Sequence, residues 1–266
     1  MDIIVCVKQV PDPEAPAASF KIDAAANKVL PMEGTPPVIS PFDEQAVEAA
    51  LQIKNKQGGK VTVVSLGPAS ARDVIKHALA MGADEGVLLN DPAFENSDSF
   101  ATATALAAAI RKIGAWDAVF CGRQAADWDN GQVGAGIAEL LEVPSATIAK
   151  KVDPVDGRLR VERVLTDGFE VVEVPAPCVV TISNEIGQPR YPTLRGIMAA
   201  AKKQVSTWSA SDIGLDASKV GAAGSKNRLL NLFIPVREGT CQIVEGETIA
   251  EAAAALALKL REAKII

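Results

Sequence analysis

The chain has 266 residues, 48% apolar and 23% charged, enough to bury one large core or two small ones, which excludes a disordered chain. Lys and Arg number 27 against 33 Asp and Glu, a net charge of −6, which disfavours a nucleic-acid binder held by bulk charge. No run of about 18 apolar residues and no secretory leader is evident, so a soluble cytoplasmic chain with no membrane insertion is expected.

Five short apolar runs, Ile3–Val7, Val61–Leu66, Glu85–Leu89, Ala118–Cys121 and Ser145–Ala149, alternate with helical patterns. That alternation predicts an α/β fold with a doubly wound, mostly parallel sheet, Rossmann-like, carrying helices on both faces. Between the first two runs, residues 11–39 are proline-rich and read as a surface excursion with a hairpin around Phe20–Leu30. A helix is predicted over Pro41–Lys56, with Ser40 as its cap, Pro41 in the first helical position and Asp43 completing a capping box.

Beyond Lys150 the pattern changes to period two around Asp156-Gly157 and Asp167-Gly168, two hairpin signals that predict a small antiparallel addition continuing to Ile182. Residues 189–203 read as an extended, proline-flanked segment entering a short helix. Residues 204–245 lack strong periodicity and are expected to form an arm wrapping a neighbour, and 247–264 recover helical periodicity as a tied-down C-terminal helix. The division expected is therefore a nucleotide-binding domain over 1–203 and a C-terminal arm and helix over 204–266.

Catalytic constellations are missing from the sequence. The four cysteines, Cys6, Cys121, Cys178 and Cys241, are scattered and His77 is the lone histidine, so a zinc or di-iron cluster lacks ligands and the thiols read as buried and reduced. His77 lies in a helical stretch beside Ile75 and Leu79 and reads as structural. Neither GxSxG nor GxxxxGK[ST] occurs, which argues against triad acyl transfer and P-loop phosphoryl transfer. No metal site and no catalytic residue is assigned.

Glycines placed after strands say more. The segment AVFCGRQAADWDNGQVGAGIAELL runs from a strand through Gly122 and an acidic loop into Gly131, Gly134 and Gly136 at a helix start. Small residues there let backbone amides and a helix dipole approach an anion, although the same spacing also suits a tight packing turn. VVSLGPASARDV places Gly67 and Pro68 before a second helix with Ser70 as its cap. Both turns fall at the carboxyl edge of the sheet, where doubly wound folds bind nucleotides. In SDSFATATALAAAIRK, Ser97 can cap a helix while Ser99, Thr102 and Thr104 sit near its first turn, as ordinary cap residues or as pyrophosphate ligands.

Seven ordered motifs now carry a resemblance: VKQVPD, SPFDEQAVEAAL, VVSLGP, ALAMGAD, GRQAADWDNGQVG, VERVLTDGFEVVEVPAPCVVTI and PRYPTLRGIMAAAKK. Together they resemble the small, or beta, subunit of electron transfer flavoproteins over almost the whole chain. The resemblance implies an adenine nucleotide alpha hydrolase-like fold and a heterodimer with an alpha subunit that holds most of an FAD and on which the C-terminal arm and helix of residues 204–266 pack. It implies electron delivery between flavin dehydrogenases such as acyl-CoA dehydrogenase and a quinone-linked or ferredoxin-linked acceptor, with no substrate chemistry on this chain.

The resemblance also implies a nucleotide in this subunit, AMP in ordinary members and a second FAD in the electron-bifurcating branch. Its site would draw on Cys6, Ser40, Pro41, Phe42 and Asp43, on Leu66 and Gly67, and on the loop Gly122, Arg123, Gln124, Ala125, Asp127, Asp129, Asn130, Gly131, Gln132, Val133 and Gly134. The Asp-Asn-Gly-Gln-Val run and the segment holding Ser99 and Thr102 are nearer the bifurcating type, which favours FAD with AMP as the alternative; Trp128, Asn130 and Ala135 depart from it. Asp127 and Asp129 are expected to shape the loop, since a carboxylate repels phosphate. PRYPTLRGIM resembles the family's docking segment, with Leu194 as apolar anchor beside Tyr191 and Met198. Val164 and Pro13 stand where relatives carry Glu and Tyr near the flavin. An adenine-nucleotide-binding module without redox activity is the competing class.

Overall fold

In the computed structural model, which describes residues 1–235, 239 and 241–266, strand β1 (Ile3–Cys6) shows why the central strands are continuously apolar. Ile3 and Val5 enter one buried cluster and Ile4 and Cys6 another, because successive side chains point to opposite faces and helices cover both. The same holds for β2 (Val61–Leu66), β3 (Glu85–Leu89) and β4 (Ala118–Gly122), which the sequence placed to within a residue. Five further strands are β5 (Ser145–Val155), β6 (Arg158–Leu165), β7 (Gly168–Pro175), β8 (Cys178–Ile182) and β9 (Val205–Trp208). They complete a nine-stranded sheet in the order β7-β6-β5-β8-β4-β1-β2-β3-β9. From β5 to β9 across that order every pairing is parallel, and β6 and β7 extend one edge as antiparallel strands.

Helices α1 (Pro41–Gln57) and α2 (Arg72–Met81) cover one face through Val47, Leu51, Ile75 and Leu79. On the other face lie α3 (Ser99–Ile113) and α4 (Val133–Leu141), which bury Leu106, Ile110 and Ile137. A shorter helix, α5 (Leu194–Lys202), buries Ala200 on the α2 side. These elements belong to one compact unit, Met1–Asn231. The second unit, Leu232–Ile266, contains α6 (Ile249–Glu262), whose cap Thr248 accepts a hydrogen bond from the Glu251 amide. No residue of α6 is buried within the chain itself.

Several expectations are corrected. Cys178–Ile182 is not part of the antiparallel addition but a parallel strand inserted between β4 and β5, and its five fully buried residues carry the signature of a two-sided interior. The stretch after 203 supplies β9, a strand that the sequence pattern does not show, and the first compact unit runs on to Asn231; residues 236–238 and 240 lie outside the described residues. Asp156 (φ 46°) and Gly157 (φ 76°) form the two-residue turn of β5–β6 as expected. At the next hairpin the turn is Thr166-Asp167, with Gly168 already paired to Leu165. The Phe20–Leu30 hairpin forms through Ile22–Asp23 and Lys28–Val29.

Phe120, the largest fully buried side chain, sits at the middle of β4 in the α1-side core. Phe120→Ala should lower the stability of the chain by about 3–5 kcal/mol, read as a shifted urea midpoint with an unchanged slope.

Candidate functional site

Strand order creates the site. β1 lies between β4 and β2, α1 leaves one face after β1, and α4 leaves the other after β4, so a crevice opens at the carboxyl ends where the order reverses. Cys6, Leu66 and Gly122 terminate β1, β2 and β4 at this edge.

Asp43 ties the edge together. Its Oδ2 accepts from the Lys8 amide just past β1 at 2.9 Å, and its Oδ1 accepts from the Gly122 amide ending β4 at 2.9 Å. It does not complete the expected capping box, and Ser40 makes no side-chain cap bond to α1. The carboxylate is spent between strands because two orphaned strand-end amides are buried beside it. Burial pushes the Asp43 carboxyl up to about 7, against the pull of those two amides and the Lys8 charge.

The loop after β4 closes over this point. Lys8 Nζ pairs with the Asp127 carboxylate at 2.6 Å, Asp127 also accepts from the Trp128 amide, and Asp129 accepts from Gln124 Nε2 at 2.9 Å. Both acidic residues therefore bond within the crevice framework. The Ala126 amide approaches Ser40 Oγ at 3.4 Å, and Asn130 Nδ2 donates to Ser99 Oγ at 3.2 Å. Thus Ser40, Phe42, Asp43, the 122–134 loop and Ser99 are brought into one neighbourhood. Arg123 stacks its guanidinium over the Phe42 ring at 4.9 Å, and its backbone amide donates to Ile182 O at 2.8 Å.

Several features suit a phosphorylated nucleotide. α4 follows Gln132 with no side-chain cap, leaving the first-turn amides of Val133 and Gly134 without a side-chain acceptor, the arrangement that can receive an anion. Gly131 adopts φ 63°, and a Cβ there would meet nothing closer than Arg123 O at 3.4 Å, so the loop leaves space at its turn. Among the described residues, buried Arg123 Nε and the buried Ser65 hydroxyl have no hydrogen-bond partner. By contrast Gly122 and Gly134 serve packing, since a Cβ would come within 2.6 Å of Asp43 Oδ1 and 2.5 Å of Thr181 Cγ2 respectively. The packing reading of these glycines is therefore realised at Gly122 and Gly134.

The N-terminus of α3 differs. Its cap is Asp98, not Ser97: the Asp98 carboxylate accepts from the Ala101 amide at 2.9 Å and from the Lys226 and Asn227 amides at 2.7 and 2.8 Å, which hold it below the usual carboxylate range despite partial burial. Ser97 Oγ instead donates to Phe94 O, and Ser70 bonds Gln9 while Ala71 precedes α2. A carboxylate already on the α3 dipole leaves only the hydroxyls of Ser99 and Thr102 for a second phosphate contact. The Asp in S-D-S is as good a cap as Ser, which is the signal that was there to read.

Cys6 and Cys121 face each other in register on β1 and β4, and the contact with Cys6, with burial, holds the Cys121 thiol well above its usual range. Burial pushes Cys178 up to about 11. These three are buried free thiols, whereas Cys241 is exposed. His77 pairs with Glu44 of α1 at 2.6 Å, a structural contact between helices. Tyr191, Leu194 and Met198 lie elsewhere, on and before α5, with 89%, 75% and 60% exposure.

Sheet order and helix placement together define a doubly wound α/β protein of the Rossmann-like class with its switch point between β1 and β4. Residues 29–213 match the electron transfer flavoprotein domain. The chain is 43% identical to an electron transfer flavoprotein subunit beta of Thermoanaerobacterium thermosaccharolyticum and 40% identical to the caffeyl-CoA reductase-Etf complex subunit CarD of Acetobacterium woodii, in each case over the full length of both chains. It is 41% identical to the FixA protein of Azorhizobium caulinodans over 88% of this chain and 85% of that protein. The chain belongs to the electron transfer flavoprotein family, as a beta subunit. The family associates with flavin and pairs this subunit with an alpha partner, serving dehydrogenase or reductase complexes. Among the described residues no helix is long and apolar enough to cross a membrane.

Asp43→Ala should cost about 2–4 kcal/mol, because the Gly122 and Lys8 amides lose their buried acceptor. The Asp43 carboxyl is raised from 3.8 to about 7, so the folded chain holds more protons than the unfolded one in that window, and its contribution is largest at low pH and falls as pH rises through about 7. The gap between parent and Asp43→Ala in urea midpoint should accordingly narrow from pH 5 to pH 8; a gap that widens would contradict the assigned shift.

Proposed function

We propose that this electron-transfer subunit holds its own nucleotide in the crevice of the β1/β4 switch point, and that the nucleotide is a second FAD, with AMP as the alternative. The uncapped start of α4 carries the reading: its amides, Gly131 and the orphaned Arg123 Nε offer an anion what the capped α3 terminus does not. Cys6 and Leu66 line the base end, Ser40 to Asp43 fix the wall, and Ser99 and Thr102 add hydroxyls toward a pyrophosphate. Ser99 Oγ accepts from Asn130 Nδ2, which sets its hydroxyl beside the loop, and the resemblance of its segment and of the Asp-Asn-Gly-Gln-Val run to the bifurcating type favours FAD.

A bound flavin supplies one- and two-electron redox chemistry. The chain's residues bind and orient it and keep water out, and no residue here is assigned a proton transfer. Electrons pass between flavin dehydrogenases such as acyl-CoA dehydrogenase and a quinone-linked or ferredoxin-linked acceptor, with bifurcation as the mode that a second FAD permits. The alpha subunit holds most of the other FAD. The exposed apolar side chains of Tyr191, Leu194 and Met198 form the docking point for the dehydrogenase, where burying one Leu contributes about 1.5–3 kcal/mol.

Nucleotides released by heat from the heterodimer and separated by chromatography should show two FAD per complex. One FAD plus one AMP would establish the alternative, and no flavin would remove the redox role. Gly131→Leu should release the crevice nucleotide while the alpha-bound FAD stays; full retention would show that the loop serves packing alone. Leu194→Ala should slow electron delivery from an acyl-CoA dehydrogenase about tenfold with unchanged flavin content, as the loss of one buried Leu requires.

A further inference from the structure

Helix α5 presents an apolar face to solvent yet is fastened by polar contacts at both ends. Ahead of it, Arg190 donates to the Glu48 carboxylate of α1 from Nε at 2.6 Å, Nη2 at 3.0 Å and its backbone amide at 3.2 Å. Gln52 Nε2 donates to the same carboxylate at 3.1 Å, and the Asn55 side-chain oxygen, with its amide turned to suit, accepts from Arg190 Nη1 at 3.1 Å. Glu48, Gln52 and Asn55 fall on one face of α1, so that face is a built receptor for a guanidinium. Glu48 is only 6% exposed.

At the far end, Lys76 Nζ of α2 donates to Ala200 O at 2.7 Å, to Ala201 O at 3.3 Å and to Lys203 O, carbonyls of the helix C-terminus, where Ala200 O also accepts from the Lys203 amide at 3.2 Å. In the first turn, Gly196 packs so closely that a Cβ would strike Ala80 O. Thr193 caps the start, accepting from the Gly196 amide at 3.0 Å. Nine residues make a marginal helix by themselves, so these contacts decide where it sits. What they hold in place is an outward row of Leu194, Ile197 and Met198, 75%, 51% and 60% exposed.

We propose that Arg190 and Lys76 are positioning residues, which fix α5 so that Leu194, Ile197 and Met198 meet a flavin dehydrogenase in one ready-made geometry. This rests on the docking role given to Leu194 above. A segment ordered before encounter loses less conformational entropy on binding, so loosening either end weakens association without touching the nucleotide. Arginine is required at the first clamp because its planar fork bridges both Glu48 oxygens, which an ammonium cannot do.

The test uses the assembled flavoprotein, carrying Arg190→Met, Arg190→Lys, Lys76→Met or the pair Glu48→Gln with Arg190→Met, each with Leu194 or with Leu194→Ala. Electron delivery is titrated against a substrate-reduced short-chain acyl-CoA dehydrogenase, and amide exchange is followed over residues 188–203. Arg190→Met and Lys76→Met should each raise KM five- to thirtyfold with kcat and bound nucleotide unchanged, and should speed exchange in α5. Arg190→Lys should recover part of the loss, and in the Leu194→Ala background neither clamp variant should raise KM further. Faster exchange with an unchanged KM, where Leu194→Ala does raise KM, overturns the positioning role alone. An additive rise in the Leu194→Ala background also overturns it, since the clamps would then act elsewhere than through the anchor. If Leu194→Ala leaves KM unchanged, the docking role itself falls. The paired variant guards against misfolding from a buried, uncompensated Glu48.

Discussion

A single buried carboxylate holds the working edge of this protein together. The switch point falls between β1 and β4, and the amides at their ends would be buried without acceptors if nothing joined them. Asp43 answers both from the first turn of α1, so the helix start, the two strand ends and the loop that Lys8 anchors through Asp127 are fixed as one body. The cost of burying that carboxylate is visible in its raised pKa, and it is offset by the two amides and the nearby lysine.

The same edge separates two helix N-termini by their caps. Asp98 occupies the start of α3 and spends its charge on the Lys226 and Asn227 amides, pinning a later segment of the chain. Gln132 leaves the start of α4 open. Two helices that both follow strands and both carry small residues are thereby given different work, one structural and one suited to an anion.

The proposed docking row and the proposed nucleotide crevice lie apart on the fold. The crevice is built where α1 and α4 meet the strand ends, whereas the exposed row of α5 is mounted on the outward sides of α1 and α2 through Glu48 and Lys76. α1 carries the contacts of both, with Asp43 in its first turn and Glu48, Gln52 and Asn55 further along, so the α5 row and the strand ends are fixed to one helix.

The sequence by itself determined the four central strands, the start of α1 at Pro41, the Asp156-Gly157 hairpin and the two strand-to-helix turns, because each depends on local periodicity, a proline or a glycine at a fixed offset. Its ordered motifs also determined the family. It could not place Cys178–Ile182, since a five-residue apolar run is compatible with either sheet direction, nor see that Val205–Trp208 closes the opposite edge, since an edge strand carries a weak pattern. The role of Asp43 was beyond its reach: spacing from Ser40 suggests a capping box, and only the approach of Lys8 and Gly122, far away along the chain, diverts the carboxylate between strands. Tertiary structure likewise decided which glycines are packing residues and which leaves space, because what a Cβ would meet depends on neighbours from other strands and helices.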